Sequence, residues 1–162
     1  MKSYLLDTHI FLNAYIRQGK NNKRITKILE SDSPKYLSAI SLVEIAQLFE
    51  SKPKEVKTNV PLATFFHQAL SDLQVQILEI TPEHAQRFYE IQMIKDHKDQ
   101  YDRTIIAQAA STGFTVLSDD TKFPFYPIEL VSNSLQIFVF IYQKGSLNCV
   151  QRPFLCFEDK LM

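Results

Sequence analysis

The stretch HKDQYDRTIIAQAASTGFTVLSDD, residues 97–120, decides how this chain is read. Asp99 is a good N-cap, and Asp102 falls in the first turn that follows, where the helix dipole favours negative charge. Ile105, Ile106, Ala109 and Ala110 supply an apolar stripe at helical spacing. Gly113 suits the left-handed position that closes a helix. Phe114 to Leu117 then reads as a buried strand running into Ser118, Asp119 and Asp120. One carboxylate therefore opens a helix and two more follow the next strand. In a parallel α/β sheet, ligands bind just beyond the carboxyl ends of the strands.

Each of these features has an ordinary explanation when taken alone. An Asp in a first turn is good helix chemistry, and Asp-Asp after a strand is usually a solvated turn. The rest of the chain has to supply the context. Upstream, Tyr4 to Leu6 reads as a short buried strand ending at Asp7, with Thr8 as N-cap of a helix carrying Ile10, Phe11, Leu12, Ala14, Tyr15 and Ile16. Ile25, Ile28 and Leu29 keep helical spacing within a polar segment whose Lys20, Lys23, Arg24 and Lys27 form a basic side. Tyr36 to Ile40 is a second strand candidate, and Ser41 starts a helix with Leu42, Ile45, Ala46 and Phe49. Glu44, three residues after Ser41, completes a capping box, which is the bland account of that carboxylate.

Residues 51–60 are polar and hold Pro53, so a loop is expected there. Pro61 at an N1 position leads into a helix with Leu62, Phe65, Phe66, Ala69 and Leu73. Val75 to Ile80 is a third strand, and Thr81-Pro82 opens a helix carrying Phe88, Ile91 and Ile94. Ile128 to Val131 is a short last strand. Alternating strands and helices predict an α/β fold: a central parallel sheet of four to five strands flanked by helices. Residues 1–131 form this unit. Residues 132–162 form a C-terminal extension, either a hairpin built from Leu135–Tyr142 and Cys149–Phe157 or a poorly ordered tail.

The chain has 162 residues, which suits one domain able to bury roughly 70% of its unfolded surface. Lys plus Arg equals Asp plus Glu, 18 of each, so net charge gives no hint of a polyanion partner. Two cysteines, Cys149 and Cys156, make neither a disulfide framework nor a zinc signature. Asp7 and His9 interrupt the N-terminal apolar run, so no secretory signal is read. Ile137 to Ile141 is far short of the roughly 20 residues that span a bilayer. A cytoplasmic protein without a membrane partner is the expectation.

If the sheet is parallel, Asp7, Glu44, Asp102, Asp119 and Asp120 all arrive at one edge. Two like charges about 4 Å apart cost on the order of 4 kcal/mol at an effective dielectric of 20. A folded chain keeps such a cluster when a cation neutralises it, and oxygen-only ligands suit Mg²⁺ or Mn²⁺ better than zinc. Carboxylates around such an ion favour phosphate chemistry.

At this point the chain resembles PIN-domain proteins of the VapC-like bacterial toxin type, with a three-layer fold. The matching pieces are Leu5-Leu6-Asp7-Thr8-His9, Ile40 to Ala46 around Glu44, His97 to Arg103 with Ile106-Ala107-Gln108-Ala109, and Leu117 to Asp120 with Phe123 and Tyr126. The match runs from about Ser3 to Val131. The resemblance implies that Asp7, Glu44, Asp102 and Asp120 are the catalytic and metal-binding carboxylates. Asp120 is preferred to Asp119 because Phe123 follows it at the family's spacing. Ser118 matches a small hydroxyl position that can hold a carboxylate or water, and Thr8 and Arg103 stand beside the cluster as supporting residues. His97 fits the pattern in a structural or hydrogen-bonding role. His9 could face substrate, His84 is expected at the surface, and Arg103 is expected to pair with a carboxylate, the alternative being contact with RNA. Gln100 and Tyr101 depart from a common proline and phenylalanine.

The resemblance further implies a Mg²⁺- or Mn²⁺-dependent endoribonuclease acting by in-line hydrolysis of RNA, a cognate antitoxin and a homodimer. The alternatives are a housekeeping PIN nuclease in RNA processing and a non-catalytic binding module on the same fold. An aspartyl-phosphate phosphatase would want a second Asp where His9 stands.

Overall fold

The computed structural model describes residues 2–132 except 18, 19, 52–55, 57–59 and 95, and the backbone of 139–143 and 146–150. Five strands form one parallel sheet: β1 (Tyr4–Leu6), β2 (Lys35–Ser38), β3 (Val75–Leu78), β4 (Thr115–Leu117) and β5 (Leu130–Val131), in the order β3-β2-β1-β4-β5. Six described helices connect them: α1 (Thr8–Tyr15), α2 (Lys23–Leu29), α3 (Ala39–Ser51), α4 (Leu62–Asp72), α5 (Pro82–Glu90) and α6 (Gln100–Thr112). The predicted α/β fold with a parallel sheet is the one observed.

Alternation along these short strands builds the layers. Leu5 pairs in register with Tyr36 and Val116, and Leu6 with Leu37 and Leu117. Side chains at successive strand positions point to opposite faces. Leu6, Leu37 and Leu117 accordingly join one core with Ile10 and Phe11 of α1, Ile25 of α2, Ile45 of α3 and Phe65 of α4. Leu5 and Val116 join a second core with Ile105, Ile106 and Ala109 of α6, Phe123 and Tyr126. Helices thus cover both faces of the sheet, as a parallel sheet requires. Gln108 ties α6 to the end of β3 by donating to the carbonyls of Leu78 and Glu79.

Several boundaries move from their predicted places, for local reasons. The N-cap of α1 is Asp7 rather than Thr8, which is the first helical residue. α3 begins at Ala39, two residues before Ser41, and Ser38 Oγ accepts the Ile40 N–H at 3.2 Å. Ser41 therefore lies inside the helix with a buried hydroxyl that has no partner among the described residues, and the Ser41–Glu44 capping box does not form. Pro61 is an N-cap rather than N1, and α5 stops at Glu90, leaving Ile91 and Ile94 to pack on the second core from beyond it. Most of the predicted 51–60 loop lies outside the described residues. The backbone of Val139–Gln143 and Ser146–Val150 forms an antiparallel pair, β6 and β7, separate from the main sheet. Among the described residues, no helix is long and apolar enough to cross a membrane.

Candidate metal-binding acidic site

Strand register brings the first two site residues together. Asp7 and Ser118 each follow the paired positions Leu6 and Leu117, and the Asp7 N–H donates to Leu117 O at 3.0 Å. Asp7 occupies an N-cap position yet makes no capping bond with its side chain. Its carboxylate, in a residue only 3% exposed, instead accepts the Ser118 hydroxyl at 2.7 Å. Burial raises the Asp7 pKa, the serine bond and the nearby His9 oppose the rise, and Asp120 adds to it. Ser118 Oγ also accepts the Asp120 N–H at 3.1 Å, so one hydroxyl organises both strand ends. Asp120 in turn accepts the Lys122 N–H on Oδ1 at 2.6 Å. Asp119 is exposed.

Glu44 comes from α3, half-buried. Its pKa is raised, first by burial and then by Asp7 and Asp99, while the Thr8 hydroxyl and His9 act the other way. The Thr8 hydroxyl lies close enough to favour charge on Glu44, although it makes no hydrogen bond of standard geometry.

Asp102 arrives from the first turn of α6. That helix start is capped by Asp99, whose Oδ1 accepts the N–H groups of Tyr101 and Asp102 at 2.9 and 3.3 Å. Asp102 is therefore not needed as a cap, and its Oδ2 lies 3.0 Å from His97 Nε2. Burial is the largest cause of a rise in its pKa from 3.8 to about 8, followed by the charges of Asp7, Asp99, Asp120 and Glu44. Each of the other three predicted ligands is thus near enough to act on Asp102.

The donors are hard oxygens, which fits Mg²⁺ or Mn²⁺. As they stand, no three His, Cys, Asp or Glu side chains among the described residues are placed to hold an ion together. Mg²⁺ needs no such cage: it keeps several waters and is usually bound through one or two carboxylates plus substrate phosphates.

Three other predicted positions resolve differently. Arg103 does not pair with a carboxylate among the described residues. Its guanidinium lies 4.3 Å from the centre of the Phe88 ring and Nη2 reaches Phe88 O at 3.5 Å, joining α6 to α5. His84 is buried, not superficial, because it shares a capping box with Thr81 at the start of α5. The Thr81 N–H donates to His84 Nδ1 at 3.1 Å. His9 is exposed, at the mouth of the acidic cluster by its effect on Asp7 and Glu44. Asp99, a cap by its sequence signal, also bears by its charge on Asp102 and Glu44. Only the fold shows this, since a cap signal carries no information about distant carboxylates.

Comparison with known proteins gives the family and the fold. The family profile described as PIN domain matches residues 4–127. No curated protein sequence matches significantly. Among solved structures, the chain is similar to one in VapBC2 from Rickettsia felis bound to a promoter DNA fragment, with 19% identity and a TM-score of 0.61 over 80% of this chain and 98% of that one. It is similar to a chain of a toxin-antitoxin complex from Klebsiella pneumoniae, with 20% identity and a TM-score of 0.55 over 81% and 98%. A chain of DNA-bound VapBC from Salmonella typhimurium gives 22% identity and a TM-score of 0.59 over 83% and 100%. At these identities the likeness is one of fold, whereas the profile spans most of the sequence, and the chain belongs to the PIN domain family.

Proposed function

We propose that this chain is a Mg²⁺- or Mn²⁺-dependent endoribonuclease, and the toxin of a toxin–antitoxin pair. The observation that carries the reading is electrostatic. Burial first, and then the charges of carboxylates arriving from three other segments, push Asp102 up to about 8. A chain selected for stability alone would not gather them.

In this reading Asp7, Glu44, Asp102 and Asp120 hold the ion and catalyse the reaction. When bound, Mg²⁺ supplies activation of water and neutralisation of charge on a phosphodiester. Ser118 keeps the Asp7 carboxylate turned toward the site through its 2.7 Å bond. Asp99 fixes the start of α6 and so the height at which Asp102 enters. No side chain is required as nucleophile, and His9, exposed beside the acids, is the histidine available to substrate.

The partner is supported by the company of similar folds: one is described as a toxin-antitoxin complex and others as VapBC. A homodimer belongs to the same proposal. Val43 and Ile80, 49% and 45% exposed beside a groove of about 390 Å³, offer a second copy an apolar face. Light scattering on a sizing column reads the oligomeric state directly. The decisive experiment is incubation with total RNA in Mg²⁺, in EDTA, and with an Asp7→Asn variant. Cleavage by the wild type in Mg²⁺ alone is expected. Cleavage that persists in EDTA or in Asp7→Asn would overturn the proposal.

A further inference from the structure

We propose that His97 is a positioning residue for Asp102, holding one carboxylate oxygen so that the other is presented to the acidic cluster. The inference rests on the reading of Asp7, Glu44, Asp102 and Asp120 as a metal site. His97 is fully buried, and its Nε2 lies 3.0 Å from Asp102 Oδ2. With Oδ2 engaged in this way, Oδ1 is the oxygen left for an ion or its water.

The surroundings make this contact rigid. Asp96 adopts a left-handed backbone, φ 53°, and the His97 N–H donates to Ile94 O at 3.0 Å. That tight turn sends the imidazole inward just before α6 begins. The ring is walled by Phe123 and Tyr126, with centroids at 6.2 and 5.6 Å, and both of those residues are themselves buried. Tyr126 is anchored in its turn, its hydroxyl accepting the Ile94 N–H at 3.4 Å. An imidazole in such a box has little room to swing.

His97 Nδ1 is buried without a hydrogen-bond partner among the described residues. An apolar side chain would fill the same box and leave no nitrogen unsatisfied. The imidazole is therefore explained by what Nε2 does. The lack of an Nδ1 partner among the described residues also selects the tautomer once a bound cation keeps Asp102 ionised: with hydrogen on Nε2, only a lone pair is left unmet, and Nε2–H can donate to the carboxylate. Partners that orient a metal-binding carboxylate in this manner typically matter about 10- to 100-fold in metal affinity.

The test uses the whole chain and Mn²⁺ as probe, with binding measured by calorimetry. His97→Gln keeps an N–H donor near the reach of Nε2, whereas the shorter side chain of His97→Asn does not. His97→Gln is expected to bind Mn²⁺ within a few-fold of wild type and His97→Asn about 10- to 100-fold more weakly. Equal binding by the two variants would overturn the inference. Should neither variant fold, nitrogen NMR of Mg²⁺-saturated wild type decides. The Nε2–H tautomer of His97 is expected, and the Nδ1–H tautomer overturns the inference. Asp102→Asn separates the two readings. If it loses Mn²⁺ while His97→Asn does not, only the positioning role fails. If wild type binds no Mn²⁺, or Asp102→Asn binds as well as wild type, the metal site fails and this inference with it.

Discussion

Burial, and then four neighbouring acids, raise the Asp102 pKa from 3.8 to about 8 in the metal-free protein. The sign of the resulting pH dependence is fixed. A carboxyl held above its unfolded pKa stabilises the fold fully below about pH 4, and that contribution is lost as pH rises toward 8. Asp7 and Glu44, also raised, act in the same direction. His97, whose pKa is lowered by burial, acts oppositely below its ordinary 6.5. The Asp102 contribution is therefore read as a difference. In EDTA, wild-type melting temperature should fall more steeply between pH 4 and 8 than that of Asp102→Asn, and parallel curves would refute it. At neutral pH in EDTA the variant should be equal in stability or higher by no more than about 1 to 2 kcal/mol. Mg²⁺ should stabilise wild type by mass action and the variant much less. A second residue-scale prediction concerns the adjacent acids. Asp120 acts on both Asp7 and Asp102, and Ser118 Oγ accepts its N–H at 3.1 Å. Asp120→Asn should lose more RNA cleavage than Asp119→Asn, and the reverse order would refute the assignment.

Helix ends carry most of what the individual elements contribute. Gly113 closes α6 with φ 71°, and a Cβ there would meet nothing within 4 Å. The cost of Gly113→Ala is then purely one of backbone conformation, roughly 1 kcal/mol of stability. Activity should be unchanged, since the opposite end of α6 carries Asp102. A chemical denaturation midpoint that did not move would contradict this. Thr81→Ala removes half of the box it shares with His84 and should cost about 1 kcal/mol, again without loss of cleavage. The start of α6 is the contrasting case, because Asp99 both caps the helix and charges the site. Capping signals are legible in sequence because their partners lie within three or four residues. The same locality misled at Ser41, where a correct motif had no capping role because α3 starts two residues earlier.

At the scale of the whole molecule, two cores on opposite faces of one sheet hold the site at its edge. All five strands and six described helices of that unit lie between Tyr4 and Val131, and β6 and β7 pair only with each other as sheet strands. A chain ending at Ser132 is expected to unfold cooperatively and to keep Mn²⁺ binding; loss of the cooperative transition would show that the later residues complete the fold. By itself, the sequence determined the alternation of strands and helices, the caps at Asp99, Thr81 and Gly113, and the arrival of acids at strand and helix ends. These depend on periodicity and on short-range hydrogen bonds, which a linear chain records. The tertiary structure alone decided that Ser118 holds Asp7, 111 residues away, that Glu44 is free of Ser41, and that Arg103 stacks on Phe88. It also brought Asp102 under the influence of three distant carboxylates. Such contacts follow from strand register and helix packing, and only the assembled sheet fixes which residues share an edge.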